Sequence, residues 1–548
     1  MSSQSRSAPL LAASSIQDAP PATPGPSLRA IISAAAPAIL NNVAWPLSAA
    51  AQLAMLGHSR GTHGDKETGS QQVAAFTAIT AVVTFVANVA NFVVVVTMAR
   101  VGHALGAKQW TLLGHMVRAV FAAAIFVGVL VGGILMFARQ PLLSALSLGD
   151  RETAEYHIAS SYLPAALLRL PLQLVLRAAS SVLVGYQRVR LASAVNTLLA
   201  LADTLAFYVV LHVLHSDLRT VGFVVAATCG CAAFGALLLV LSMPPHPSVR
   251  IFCGCRAAEK PPKDPAVGSS QEGDGCVGSS PNSPPSAKSL RSLACDSLNV
   301  LIRSLLLSGS VLSLTVAVAP LGTAALNAHA VVLQLWMITS YVVDGFADAG
   351  TMIGSRLLGA GEAHHMRSLT LTLALLGLGT GLTAAALLEA LRAPLAHLFV
   401  PHSAGAQAAL LHGPLWHVLV ALQPINALVF VYDGILYAAR SFAYVRNALA
   451  AGVLLVFAPS LAVVLGAYHS LLAVWLAKSL LNAWRCLTAL FHIHCQLWPT
   501  WVAAVPTSTA DVVEQGGGRG PPPSGLVESQ SRSTARTTTE DDGFVEVD

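Results

Sequence analysis

The chain has 548 residues, of which 54% are hydrophobic and only 10% charged, with a net charge of +5 and a mean hydropathy of +0.65. Soluble globular domains carry roughly 25% charged residues, so this composition lacks the polar surface to cover a water-soluble fold of this length. Its apolar content equally excludes a disordered chain, and what remains is a polytopic membrane protein.

The balance of 31 basic against 26 acidic residues is mild, and no basic stripe of the kind that tracks phosphates is present, so no nucleic-acid partner is expected. Eight cysteines in this length do not form a disulfide framework. Cys229 and Cys231 lie in an apolar run, where thiols behave as small hydrophobes. Cys253 and Cys255 sit beside Arg250 and Arg256 just past a span, either as palmitoylation sites or as unmodified cytosolic thiols. The histidines are not paired with cysteines at zinc-ligand spacing, so no metal site is expected.

In chain order, residues 1–26 are rich in Ser, Ala and Pro and read as a disordered tail without the features of a signal peptide. A first lobe, 27–243, holds apolar runs near 28–57, 71–98, 112–138, 155–184, 190–214 and 219–243. Each is long enough for a helix across ~30 Å of hydrocarbon, which takes about 20 residues. Residues 244–290 break the pattern as a Pro/Gly/Ser linker. A second lobe, 291–496, holds runs near 293–320, 322–357, 368–392, 403–438, 443–467 and 469–496, and a polar, acidic-ended tail covers 497–548. The expected fold is an all-α polytopic membrane protein of twelve transmembrane helices.

The two halves repeat. Leu105-Gly106-Ala107 recurs as Leu358-Gly359-Ala360, Arg139 with Pro141-Leu142 recurs as Arg392 with Pro394-Leu395, and Pro171 falls on Pro424, all at an offset of 253. An even number of spans precedes the second copy, so the two six-helix lobes run parallel. Arg100, Lys108, Arg188, Arg190, Arg356, Arg367, Arg440 and Arg446 occupy the loops on one side, joined by Arg250, Arg256, Lys260, Lys263 and Lys288 of the linker. Arg60, Lys66, Arg139, Arg151, Arg219 and Arg392 occupy the other. The positive-inside rule then places both termini and the linker in the cytoplasm.

Inside a bilayer the charged residues are the informative ones, because each costs about 2.5–3.5 kcal/mol at a helix centre and must face a cavity or a partner. Asp344 and Asp348 lie four apart in the eighth span, on one helical face. Carboxylates that close disfavour double ionisation, so one of them holding a proton against a competing cation is what an antiporter needs. For Asp348, pairing with an arginine or a place near the interface is the competing reading. Asp433, Asn426 and Gln423 share one stripe of the tenth span, where Pro424 is expected to kink the helix and free carbonyls towards a cavity. Arg303 is either the counter-charge to these acids or an interfacial arginine. In the first half Asp203 is the clear intramembrane acid, with Arg169 and Arg177 on one face of the fourth span, either able to neutralise it. Asn91 takes the repeat position of Asp344. His329 reads as a core histidine. No nucleophile elbow, Walker A loop or metal-ligand cluster occurs, so neither an enzyme nor an ATP-driven pump is expected, and transport driven by an ion gradient is the default.

The second half resembles the multidrug and toxic compound extrusion (MATE) transporters, and within them the DinF-like branch. The resemblance is carried by Leu333-Gln334-Leu335-Trp336, Val343-Asp344-Gly345-Phe346-Ala347-Asp348-Ala349-Gly350, Gln423-Pro424-Ile425-Asn426-Ala427, Val431-Tyr432-Asp433-Gly434 and Ser441-Phe442-Ala443-Tyr444. Leu105-Gly106-Ala107-Lys108, with Pro46-Leu47 and Leu56-Gly57-His58, matches more weakly in the first half. The resemblance implies two lobes in a V, alternating access, and export of organic cations or anions, including carboxylates, in exchange for H⁺ or Na⁺, with no other cofactor. It also implies an ion site in the first lobe. There Gln52 stands where the family pattern has its acid, while Asp203 is kept, with Asn196 at the first Asn of its motif and Thr228 at the sixth-span Thr. A glutamine cannot carry a proton, so coupling is expected to have moved to Asp344, Asp348 and Asp433. A monomer that takes a small organic solute, cation or carboxylate, across a plasma or vacuolar/lysosomal membrane is the expectation. A lipid-linked oligosaccharide flippase and a non-transporting scaffold or sensor are the alternatives.

Overall fold

The computed structural model describes residues 25–58, 66–145, 154–249, 287–399 and 404–503. The first lobe comprises α1 (Leu28–His58), α2 (Lys66–Val89, resuming after Ala90 as Asn91–Gly106), α3 (Trp110–Phe137), α4 (Ala154–Gly185), α5 (Val189–Tyr208, carried on by Val209–Val213) and α6 (Leu218–Ser242). The second comprises α7 (Ala287–Val318), α8 (Thr323–Gly359), α9 (Met366–Ala390) and α10 (Leu415–Ala438). It closes with α11 (Phe442–Ala451, carried on by Gly452–Phe457, Ala458–Val463 and Val464–Tyr468) and α12 (Leu471–Phe491, carried on by His492–Leu497 and Trp498–Ala503).

A chain that must satisfy its backbone groups without water can cross hydrocarbon only as helices or as a closed barrel, and the described residues are helical throughout their apolar runs. Eleven of the twelve helices are long and apolar enough to span. The exception is α12, whose hydropathy is lowered by Lys478, Asn482 and Arg485, all buried. Phe126, Phe137, Leu375 and Leu455 stand exposed, a surface suited to lipid rather than water.

The boundaries differ from the sequence reading at three places. Helix α7 starts at Ala287, inside the stretch read as linker, because Ala287–Leu290 continue its apolar period. The last helix runs to Ala503, past the expected boundary at 496. The run 403–438 divides into Ala404–Leu411 and α10, with Gly413 and Pro414 at the break. The tails to 24 and from 504, and the linker with Cys253 and Cys255, lie outside the described residues.

The offset of 253 is a property of the backbone as well as the sequence. Left-handed φ values occur at Lys108 and at Gly361, and again at Gln187 and Arg440, each pair separated by that offset. Arg139–Ala145 and Arg392–Phe399 form matching short helices. Pro171 of α4 and Pro424 of α10 are each met by a glycine of the preceding helix of the lobe, Gly128 and Gly381 respectively.

The lobes touch through those same repeats. A Cβ on Gly106 would collide with the carbonyl of Arg356, and one on Gly359 with the carbonyl of His103, so the ends of α2 and α8 approach backbone to backbone. Gly102 lies against Ser355. Around this contact Arg100 donates to Asp296 of α7 through Nε at 2.9 Å and to Ser292 through Nη2 at 2.6 Å, and Gln187 donates to the Met352 carbonyl at 2.9 Å.

An ideal Cβ at Gly102 falls 3.3 Å from the Ser355 Cβ, close to the ~3.8 Å mean of disulfides. With the native cysteines replaced, Gly102→Cys with Ser355→Cys is expected to oxidise to an intramolecular disulfide, read as loss of both free thiols by mass. Thiols that stay reduced under oxidant would contradict this closure.

Candidate functional site

In the first lobe Arg169 of α4 donates to Asp203 of α5 at 2.5 Å, and Thr228 of α6 donates to the other carboxylate oxygen at 2.7 Å. Asp203 is fully buried, so the pair is a neutralised charge inside the bundle. The guanidinium of Arg169 also lies 5.0 Å from the ring centroid of Trp45 on α1. Of the two arginines the sequence offered as partners, Arg169 takes the role. Arg177 instead donates to the Ala87 carbonyl at 2.9 Å, beside the interruption of α2 at Ala90.

Asn196 and Gln52 serve a different seam. Asn196 donates to Asn41 of α1 at 2.7 Å and to Ser180 of α4 at 3.2 Å. Gln52 donates to Ser48 at 3.0 Å, and Ser48 donates to the Ala200 carbonyl and shares a hydrogen bond with Thr204. Asn196 therefore fastens α1 to its neighbours, while Gln52 bonds within α1 to the serine that reaches α5. Asp203 and Gln52 share no hydrogen bond among the described residues.

The second lobe concentrates its charge on Asp433 of α10, which accepts from Arg303 of α7 at 2.6 Å and from Arg485 of α12 at 2.8 Å. Two guanidinium groups on one carboxylate leave this triad with a surplus positive charge. A small cavity beside it is lined by Arg303, Asp433, Tyr444, Arg485 and Thr488. Arg303 is thus the counter-charge rather than an interfacial arginine. Gln423 and Asn426, expected to face a cavity, lie inside the bundle instead. Thr339 of α8 donates to Gln423 at 2.7 Å and Asn426 donates to Ser340 at 2.8 Å, so these amides join α8 to α10.

Asp344 and Asp348 are arranged differently. Both are half-buried, and neither makes an ion pair among the described residues. Asp344 lies within the electrostatic reach of Asp348, Arg303 and Asp433. Asp348 accepts a hydrogen bond at 3.1 Å from Asn42 of α1, which belongs to the other lobe. The α8 acids therefore sit at the lobe interface, while Asp203 and Asp433 sit inside the lobes. His329 meets Thr315 at 3.2 Å and Trp475 at 5.7 Å between ring centroids, as a core histidine would.

Sequence reasoning passed over Arg485, Lys478 and Asn482 on α12 and Asn42 on α1. The signal was available: Lys478 and Arg485 are seven apart in the apolar run 469–496, and the cost of an intramembrane charge applies to cations as to acids.

Two six-helix lobes, with acids within them and at their interface, define a polytopic membrane protein. The MatE family profile matches residues 37–209 and 300–474, one stretch in each lobe, and the chain belongs to this family of MATE transporters. Protein DETOXIFICATION 44, chloroplastic, of Arabidopsis thaliana is 27% identical over 179 residues. That alignment covers 32% of this chain and 33% of the plant protein, about a third of each.

Solved structures of low identity share the fold. The Vibrio cholerae MATE transporter VcmN in its bent form has a TM-score of 0.67 at 16% identity, covering 86% of this chain and 96% of that one. A MOP superfamily transporter from Pyrococcus furiosus, whose pocket is described as of reverse polarity, has a TM-score of 0.69 at 12% identity, covering 87% and 96%. An outward-facing multidrug resistance MATE transporter has a TM-score of 0.68 at 14% identity, covering 87% and 96%.

The triad sets a stability test. Asp433→Ala strands two buried guanidinium groups, and removing one member of a buried charge pair costs about 3–5 kcal/mol. A large fall in the unfolding midpoint in detergent is expected, whereas Asp344→Asn, which breaks no ion pair, leaves the midpoint near wild type.

Proposed function

We propose that this chain is a secondary active transporter of the DinF-like branch that exports organic solutes or xenobiotics by alternating access, in antiport with H⁺ or Na⁺. The observation that carries the reading is the state of the four buried or half-buried acids. Asp203 and Asp433 are occupied by arginines, and a carboxylate clamped by a guanidinium is a poor seat for a mobile cation. Asp344 and Asp348 have no such clamp and lie one turn apart on α8, so they are the acids able to exchange an ion.

Asp348 also supplies a route from ion to motion. Its hydrogen bond from Asn42 crosses between the lobes, so neutralising the carboxylate weakens a charge-assisted contact at the surface that must part. The loop charges support a cytoplasmic position for the Gly106–Gly359 contact. The closure there then corresponds to an outward-facing state, in which the coupling ion enters from outside and solute leaves. The solute is a small organic cation or carboxylate, the protein acts as a monomer, and its membrane is the plasma or vacuolar/lysosomal one.

The test uses purified protein in liposomes under a preset pH gradient in sodium-free buffer, challenged first with a lipophilic organic cation and then with a di- or tricarboxylate. Protein-dependent collapse of the gradient by one class is expected, abolished in Asp344→Asn and reduced in Asp348→Asn. Wild-type rates in both variants would remove coupling from α8.

A further inference from the structure

Beyond the charges already paired, α12 carries one that is not. Lys478 is fully buried, its ammonium makes no hydrogen bond, and no carboxylate among the described residues lies within ion-pair distance. The group it faces is the ring of Trp336 on α8, 4.9 Å away at the centroid. An isolated ammonium out of water is among the costliest groups a fold can hold.

Its surroundings share the same deficit. The indole N–H groups of Trp336, Trp416 and Trp475 and the Nδ1 of His329 have no partner, nor has the Oδ1 of Asn482. None of these residues is more than 4% exposed. Their spacing places them along one seam of the second lobe. Trp475, Lys478 and Asn482 follow one another at three and four residues on α12. His329 and Trp336 stand two turns apart on α8, and Trp475 touches His329 ring to ring. At the inner end Asn482 approaches Asn426 at 3.5 Å, and Asn426 in turn donates to Ser340, one turn beyond Trp336.

A cation and three unpartnered indole N–H donors lie in one packed region with a single orphaned acceptor, so the region has an excess of hydrogen-bond donors and of positive charge. Both deficits are met by one kind of ligand. We propose that the Lys478 ammonium, with the Trp336 indole and its neighbours on α12, forms an enclosed seat for a small monovalent anion of the size of chloride. Burial limits the size: side chains this enclosed leave no room for an organic carboxylate, so the ligand is a small ion. The seat stands about 10 Å along α12 from Arg485, at 1.5 Å per residue, so it is separate from the Asp433 triad.

The test titrates chloride into the full-length protein, purified in gluconate and kept at constant ionic strength. A saturable rise in the unfolding midpoint is expected, together with a saturable change in tryptophan emission, since two of the eight tryptophans, Trp336 and Trp475, belong to the seat. Lys478→Met should lose both responses. It is expected to fold, because replacing a buried charge by an apolar side chain is often neutral or stabilising. Trp336→Phe, which keeps an aromatic face but removes the N–H together with the pyrrole portion of the ring, should weaken the chloride response without abolishing it, and it decides the question alone if Lys478→Met fails to fold. The proposal is overturned if the wild type shows no saturable response, if added gluconate reproduces the effect, or if the variants that fold respond as the wild type does. These readouts record binding and do not depend on transport.

Discussion

A charge that leaves water for the interior of a helical bundle in lipid must find its complement there, and both lobes are built around that requirement. In the first lobe it is met one to one, Arg169 on Asp203, with Thr228 filling the second carboxylate oxygen. In the second it is met two to one, Arg303 and Arg485 on Asp433. Helices α4, α5 and α6 on one side, and α7, α10 and α12 on the other, are thus joined inside their lobes by contacts too costly to break singly.

The repeat kept its backbone and let its charges diverge. Turn geometry, kinking prolines and the glycines beneath them recur at one offset, because they fix how helices cross. The acids do not recur: Asn91 holds the place of Asp344, and Ser180 that of Asp433. The two lobes have thus become chemically unequal on one plan.

Most of the frame was legible in the sequence, since span length, apolar runs and the repeat are set by local composition. Arg169 and Arg303 were legible as candidate partners because an intramembrane acid calls for a cation nearby. Their actual pairing was not, because which arginine reaches which carboxylate depends on helix rotation, and Arg177 went to a carbonyl instead. Gln423 and Asn426 were read as cavity residues from their position beside Pro424. Periodicity assigns a face but not what that face meets, and here it meets α8. The polar residues of α12 lay hidden in a run that is apolar overall.

The contact of Gly106 and Gly359 has a further consequence for how the closed end comes apart. Had leucines met there, separation would bare a greasy strip that water wets reluctantly and that tends to snap shut again. Two bare backbones instead expose peptide groups, which water solvates readily. Solvent can therefore follow the parting helices inwards as a wedge, and the reverse motion need only expel loosely held water. A seam made of main chain is in this sense a re-openable one.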